Sequence, residues 1–336
     1  MLEAEPIDAD VDDAAPEGDR SGAGADRCHP DQDPPTALPA DPPPPIAVSS
    51  TRQWLAALSD VAMKAAWYSR HPRSPFALSP ERPPERLYYT AADGWENVLF
   101  RYPPREEDPG EPLILAHGMG LGPVNFGLLG AGSIAHAAHQ AGFDVFLFTH
   151  RGDRGALPPR DRRRRPPRRW GFDFDDIVEH DVPAALEKVR QVTEYPRAIW
   201  AGHGMGGQLL YATMARFGDA HLAAGISLCA AARFQAPRSH ARLAATVAKL
   251  LPLGWNLPTR SLNRVLAPIS DEHRYREWGA DLSGEATRGV MAYGVEDVPA
   301  GLLRQLARWV AAGELCDRHD RIAGRDPARA KRAKAA

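Results

Sequence analysis

Apolar residues at Trp54, Leu58, Val61, Ala65 and Tyr68 step by four, three, four and three, the period of a helix with one buried face. Ser49, Ser50 or Thr51 can cap the predicted helix and His71-Pro72 is expected to end it. The pattern then changes. Arg86–Thr90 and Glu96–Tyr102 are rich in aromatic and β-branched residues on either side of Asp93-Gly94, which predicts an antiparallel hairpin. Beyond it, short apolar runs alternate with helical stretches. The strands are Leu113–Ala116, Phe143–Phe148, Ala198–Ala201 and Leu222–Cys229. The helices are Ser133–Ala141, Phe174–Val192 and Gln208–Arg216; the second carries Ile177, Val178, Val182, Leu186 and Val189 on one face. Strands alternating with helices predict an α/β fold whose mostly parallel sheet is covered on both faces. From about 233 to 313 the chain is helical and punctuated by proline, the pattern of a cap, with Gly301–Leu315 its last helix. No run of four apolar residues occurs in Cys316–Ala336, so no further strand is expected there.

Composition narrows the partners. The 336 residues carry a net charge of −2, so no overall field draws the protein to nucleic acid. No apolar run approaches the ~20 residues of a spanning helix, which argues against an integral membrane protein. The acidic N-terminus has no apolar signal core, and three cysteines are too few for a disulfide framework, so the expected location is the reducing cytoplasm. Residues 1–48 hold 12 acids, 2 arginines and 10 prolines and predict a disordered acidic, Pro-rich tail. Arg151–Arg169 holds nine arginines against two aspartates and reads as a solvated loop. The expected division is therefore a tail at 1–48, a domain at 49–315 and a basic tail at 316–336.

The sharpest local feature is Trp200-Ala201-Gly202-His203-Gly204-Met205-Gly206-Gly207, between a predicted strand and a predicted helix. It resembles the nucleophile elbow of the α/β-hydrolase superfamily, lipase and esterase branch, whose usual form is G-H-S-M-G-G. Gly202, Gly206 and Gly207 stand where a tight strand-to-helix turn needs small residues. His117-Gly118-Met119-Gly120 resembles that family's oxyanion loop, and Arg151-Gly152-Asp153-Arg154-Gly155 its R-G-x-G loop. The resemblance spans Trp54 to Trp309. It implies an α/β-hydrolase fold with an N-terminal antiparallel hairpin and a helical cap. It also implies ester chemistry; no cofactor and no metal are expected. A doubly wound dinucleotide fold is disfavoured, because no G-x-G-x-x-G follows the first parallel strand.

Two departures matter. The nucleophile position is Gly204, which has no oxygen or sulfur to attack a carbonyl. The late strands that carry the family's acid and histidine are missing from the pattern, as in a C-terminally truncated fold. His240 and His273 fall in the cap, and His319 in a charged tail. Cys316 and His319 are too few for a metal site. These features predict a relative of carboxylic-ester hydrolases and lipases that is inactive as written, a pseudoenzyme or truncated homologue. Two alternatives stay open: a protein that holds a fatty-acid, ester or acyl ligand without turnover, and a hydrolase working through other residues or a complementing chain. The pocket expected in each case is formed by the backbone N–H groups of Met119 and Met205 together with His117, Gly118 and His203. Without a following strand, Leu222–Cys229 becomes an apolar sheet edge, open to self-association or a partner strand.

Overall fold

The computed structural model describes residues 83–104, 110–127, 132–159, 171–234, 248, 250–252, 254–262 and 293–319. The helix expected at Trp54–Tyr68, the tail at 1–48, the arginines from 160 to 169, His240 and His273 lie outside these residues.

Six strands form one sheet: β1 (Glu85–Thr90), β2 (Glu96–Tyr102), β3 (Pro112–Ala116), β4 (Asp144–Phe148), β5 (Ala198–His203) and β6 (Leu222–Leu228), in the order β1-β2-β4-β3-β5-β6. β1 and β2 pair antiparallel around Asp93-Gly94, β2 pairs antiparallel with β4, and the β4-β3-β5-β6 neighbours are parallel. This is the expected α/β-hydrolase arrangement, a mostly parallel sheet with an antiparallel N-terminal hairpin. β3 and β4 are buried at every position, because helices cover both of their faces.

Helix α1 (Ile134–Gln140) starts where the Ser133 side chain accepts from the His136 N–H. Helix α2 is built of Phe174–Asp176, a wider π turn at Ile177–Asp181, and Val182–Thr193. A reciprocal box opens it: Asp173 accepts from Asp175 and Asp176 N–H, and Asp176 accepts from Asp173 N–H. Pro183 has no N–H to offer the carbonyl four residues back, and the helix widens just before it. Helix α3 (Met205–Phe217) follows β5 directly. A short pair, β7 (Asn256–Leu257) with β8 (Val298–Pro299), leads into α4 (Ala300–Ala312).

The sequence placed Gly301–Leu315 in a cap. In the structure, α4 contributes Leu302 and Trp309 to the same core as β3, β4 and α2. Trp309 meets Phe174 edge to face at 4.8 Å and stacks on Phe234. Gly301 packs so closely that an added Cβ would stand 1.9 Å from the Phe172 carbonyl oxygen. The packed region also continues past Leu315. Cys316 is buried, and Arg318 is ion-paired to Asp173 and Asp176.

At the other end of the sheet, β6 is the edge strand. Only Leu222 is buried along it, while Ile226 and Leu228 are 47% and 36% exposed.

Candidate functional site

Three turns meet at the C-terminal ends of the parallel strands. The first joins β5 to α3 at Gly204, with φ 54° and ψ −113°, a conformation that L side chains rarely adopt. Its flanks allow no bulk. A Cβ on Gly202 would stand 2.2 Å from the Gly206 carbonyl carbon, and one on Gly206 would stand 2.1 Å from the Ala116 oxygen. One on Gly207 would lie 2.6 Å from both Ala230 and Ser227. Gly204 differs, since a Cβ there would meet only the Gly118 Cα, at 3.6 Å. Among the described residues, then, the turn has room for a side chain at 204 and none at the other three glycines. Trp200 Nε1 donates to the Gly206 carbonyl at 2.9 Å and Gly204 N–H donates to Leu228 O at 2.9 Å, which ties the turn to the sheet.

The second turn, His117–Gly122, follows β3. A Cβ on Gly118 would lie 3.3 Å from His203 Nδ1, so the turn after β3 approaches His203 and Gly204. Met119 is half-buried and Met205 is buried against the core. His117 is placed differently from a pocket-lining residue. Its ring is buried, Nε2 is 2.9 Å from Asp153 Oδ2, and Nδ1 is 3.1 Å from the Gly118 carbonyl. Both ring nitrogens are thus engaged within the protein. Residues 294–298 lie along this turn. Glu296 N–H donates to Gly120 O, Gly122 N–H donates to Gly294 O, and Asn125 Nδ2 donates to both Gly122 O and Gly294 O. Glu296 is buried and ion-paired to Arg260 and, at 3.4 Å, to Arg154.

The third turn, Thr149–Gly155, follows β4. The sequence grouped Arg151 with a solvated loop; in the structure it is buried. Its Nε and Nη2 donate to Asp181 and its Nη1 and Nη2 to Asp93, and its guanidinium lies over Trp95 at 5.6 Å. Asp153, to which the sequence assigned no role, is the hub of a buried cluster. It accepts from His117 Nε2 and from His150 N–H, and its Oδ1 is 3.6 Å from His150 Nε2. His150 Nδ1 lies 2.8 Å from the Arg151 carbonyl, and the two imidazoles are 5.1 Å apart.

The charges in this cluster follow from its burial. Burial lowers the His117 pKa, but the Asp153 carboxylate outweighs it and holds the ring above its ordinary value. Burial lowers His150 too, and there the neighbouring His117 adds to the effect, so His150 stays below its ordinary value. Burial raises Asp153, and the two histidines overcome it and keep the carboxyl below the usual range. One ligand atom from each of His117, His150 and Asp153 lies within 4.8 Å of the others.

Residue spacing gave no sign of this cluster. His117 and Asp153 are 36 positions apart, and only the parallel pairing of β3 with β4 brings their loops together. Elsewhere, Cys229 directly follows β6, with φ 51° and an exposed thiol. Among the described residues the only histidine after β6 is His319, which is exposed.

A profile of the "Alpha/beta hydrolase family" matches residues 113–336. Among curated proteins, "Lipase 1" of Drosophila melanogaster is 27% identical over 120 residues, which cover 35% of this chain and 27% of the relative. Human "Lipase member K" is 26% identical over 130 residues, covering 37% and 33% respectively. The chain therefore spans about a third of the length of these relatives. Among solved structures, a thermophilic esterase from Thermogutta terrifontis (malate bound) is 17% identical, covering 67% of this chain and 73% of that one, with a TM-score of 0.41.

Proposed function

The chain belongs to the alpha/beta hydrolase family, and from that premise we propose that it is a member of the lipase- and esterase-like branch that has lost serine hydrolase activity. The observation that carries the reading is Gly204. It occupies the hinge between β5 and α3, in the backbone conformation of a nucleophile elbow and with no nucleophilic atom. The placement of two described histidines points the same way. His117 has both ring nitrogens engaged, and His319, the only described histidine after β6, is exposed. Serine hydrolysis needs a nucleophile, a base and a group that orients the base.

The test is a fluorophosphonate probe applied to the pure full-length protein. No covalent adduct by intact mass is the expected result, and stoichiometric labelling removes the reading.

A second reading shares the site. The first N–H groups of α3, at Met205, and the neighbouring Met119 loop suit the carboxylate or ester oxygen of an acyl ligand. In this reading the protein binds such a ligand without turning it over. Fatty acids and short esters are then expected to raise the melting temperature, and no shift with any of them removes the reading.

The edge of the sheet supports a partner reading. Among the described residues nothing pairs with the outer side of β6, and Ile226 and Leu228 are exposed there. A second copy of this chain offers the same edge, and edge strands template such pairing. Sedimentation is expected to show self-association that Ile226→Lys weakens; a monodisperse monomer at all concentrations overturns it. The proposed cytoplasmic location rests on cysteine usage, three cysteines being too few for a disulfide framework. Among the described residues no helix is long and apolar enough to cross a membrane.

A further inference from the structure

We propose that His117, His150 and Asp153 form a binding site for a divalent transition-metal ion of the zinc type, buried between the loops that follow β3 and β4. The inference does not depend on whether the protein has lost hydrolase activity. It departs from the expectation that the chain holds no metal.

Three features of the cluster carry it. The first is the donor set. Two imidazoles and one carboxylate are ligands that zinc accepts readily, and three protein ligands leave a fourth position for water or a ligand oxygen. The second is spacing. One donor atom from each residue lies within 4.8 Å of the others. His117 Nε2 is 2.9 Å from Asp153 Oδ2, and His150 Nε2 is 3.6 Å from Asp153 Oδ1. A tetrahedral ion with bonds of about 2.0–2.1 Å sets its ligand atoms roughly 3.3 Å apart. Shifts of about 1.5 Å or less therefore close the three donors around one ion.

The third feature is the support behind the ligands. His117 Nδ1 is 3.1 Å from the Gly118 carbonyl, and His150 Nδ1 is 2.8 Å from the Arg151 carbonyl. A carbonyl only accepts, so each Nδ1 carries a proton and donates it. Both rings are thereby fixed with Nε2 turned toward Asp153. Metal-ligating histidines depend on this support: one nitrogen donates to a backbone carbonyl or carboxylate while the other faces the ion. A simple His–Asp ion pair needs one imidazole. Here a second is fixed beside the same carboxylate, yet its Nε2 is too far from Asp153 for a hydrogen bond.

The loops are also held rigidly. Arg151, between two of the proposed ligands in sequence, is anchored to Asp181 and Asp93. His117 leads directly into Gly118, whose Cα stands 3.6 Å from where a Cβ on Gly204 would lie. An ion held here would brace the turn that faces the Gly204 position.

The test uses the full-length protein, stripped with a chelator and titrated with Zn²⁺ by calorimetry and with Co²⁺ by visible spectroscopy. The expected result is one tight equivalent per chain, a tetrahedral-type Co²⁺ spectrum, and zinc absorption fine structure with two imidazoles in the first shell. His150→Gln is expected to weaken Zn²⁺ binding at least a hundredfold, while His136→Gln, which changes an α1 histidine outside the cluster, leaves it unchanged. If His150→Gln fails to fold, the Co²⁺ spectrum and zinc fine structure of the unaltered protein still decide. Overturning results are no stoichiometric binding, an octahedral Co²⁺ spectrum with oxygen ligands only, or equal affinity in a folded His150→Gln protein.

Discussion

Replacing Asp181 with alanine removes the acceptor on which the third turn depends. Asp181 is fully buried and accepts from Arg151 four times over: the backbone N–H at 2.9 Å, Nε at 3.1 Å to each carboxylate oxygen, and Nη2 at 2.9 Å. The substitution leaves a guanidinium buried with one partner, Asp93, at 2.6 and 3.0 Å. Breaking a buried pair from one side costs about 3–5 kcal/mol. Asp93 keeps part of the compensation, but its side chain is 33% exposed and its attraction is screened, so the lower end, about 3 kcal/mol, is expected. For a domain of this size that lowers the melting point by about 6–12 °C. The assay is urea denaturation followed by circular dichroism, on Asp181→Ala, Arg151→Met and the double variant. With no charge left to bury, the double variant is expected to be more stable than Asp181→Ala alone. An Asp181→Ala protein within 1 kcal/mol of the parent, or a double variant no better than the single, refutes the reasoning.

Two further predictions concern the turns and the last helix. Gly204→Ala is expected to cost about 1–3 kcal/mol, from backbone strain alone, since its Cβ meets nothing closer than 3.6 Å. Gly206→Ala is expected to cost more, despite a gain of roughly 1 kcal/mol in helix propensity, because its Cβ collides with the Ala116 backbone. Denaturant melts of the two that come out in the reverse order contradict the geometry. Trp309→Ala is expected to lose about 3–5 kcal/mol in the same melt, since Trp309 is wholly buried against Phe174 and Phe234. A loss below 1 kcal/mol would place α4 outside the core.

The strands and the turns after them were legible because their signals are local. A short all-apolar run such as Leu113–Ala116, followed at once by a glycine-rich turn, marks a doubly covered strand, and Gly202, Gly206 and Gly207 mark a turn with no space for Cβ atoms. Boundaries moved by a residue or two, as at β5, which continues to His203. The cluster at Asp153 was not legible, since its partners meet through strand pairing and the Arg-Gly-Asp string looks like solvated loop. Nor was the place of α4. Its apolar face reads the same whether it covers a pocket or the main core, and the deciding contacts, from Gln305 to Phe174 and Asp175, are 130 residues away in sequence. Arg151 was grouped by composition with the arginines that follow it, while its environment is set by Asp181, 30 residues on.

That long reach has a consequence during synthesis. Phe174 N–H and the Asp175 carboxylate, at the start of α2, wait for Gln305, and Asp175 waits further for Arg318. With 131 residues between Phe174 and Gln305 and a ribosome adding about 5–20 residues each second, the wait is roughly 7 to 26 s. For that time Phe174 has no Trp309 to cover it, and the nascent sheet carries an uncovered aromatic flank. The parallel strands can pair early, but the finished core is a late event. A stall anywhere between β6 and α4 leaves a chain that exposes this flank and the β6 edge together, the kind of surface that chaperones hold.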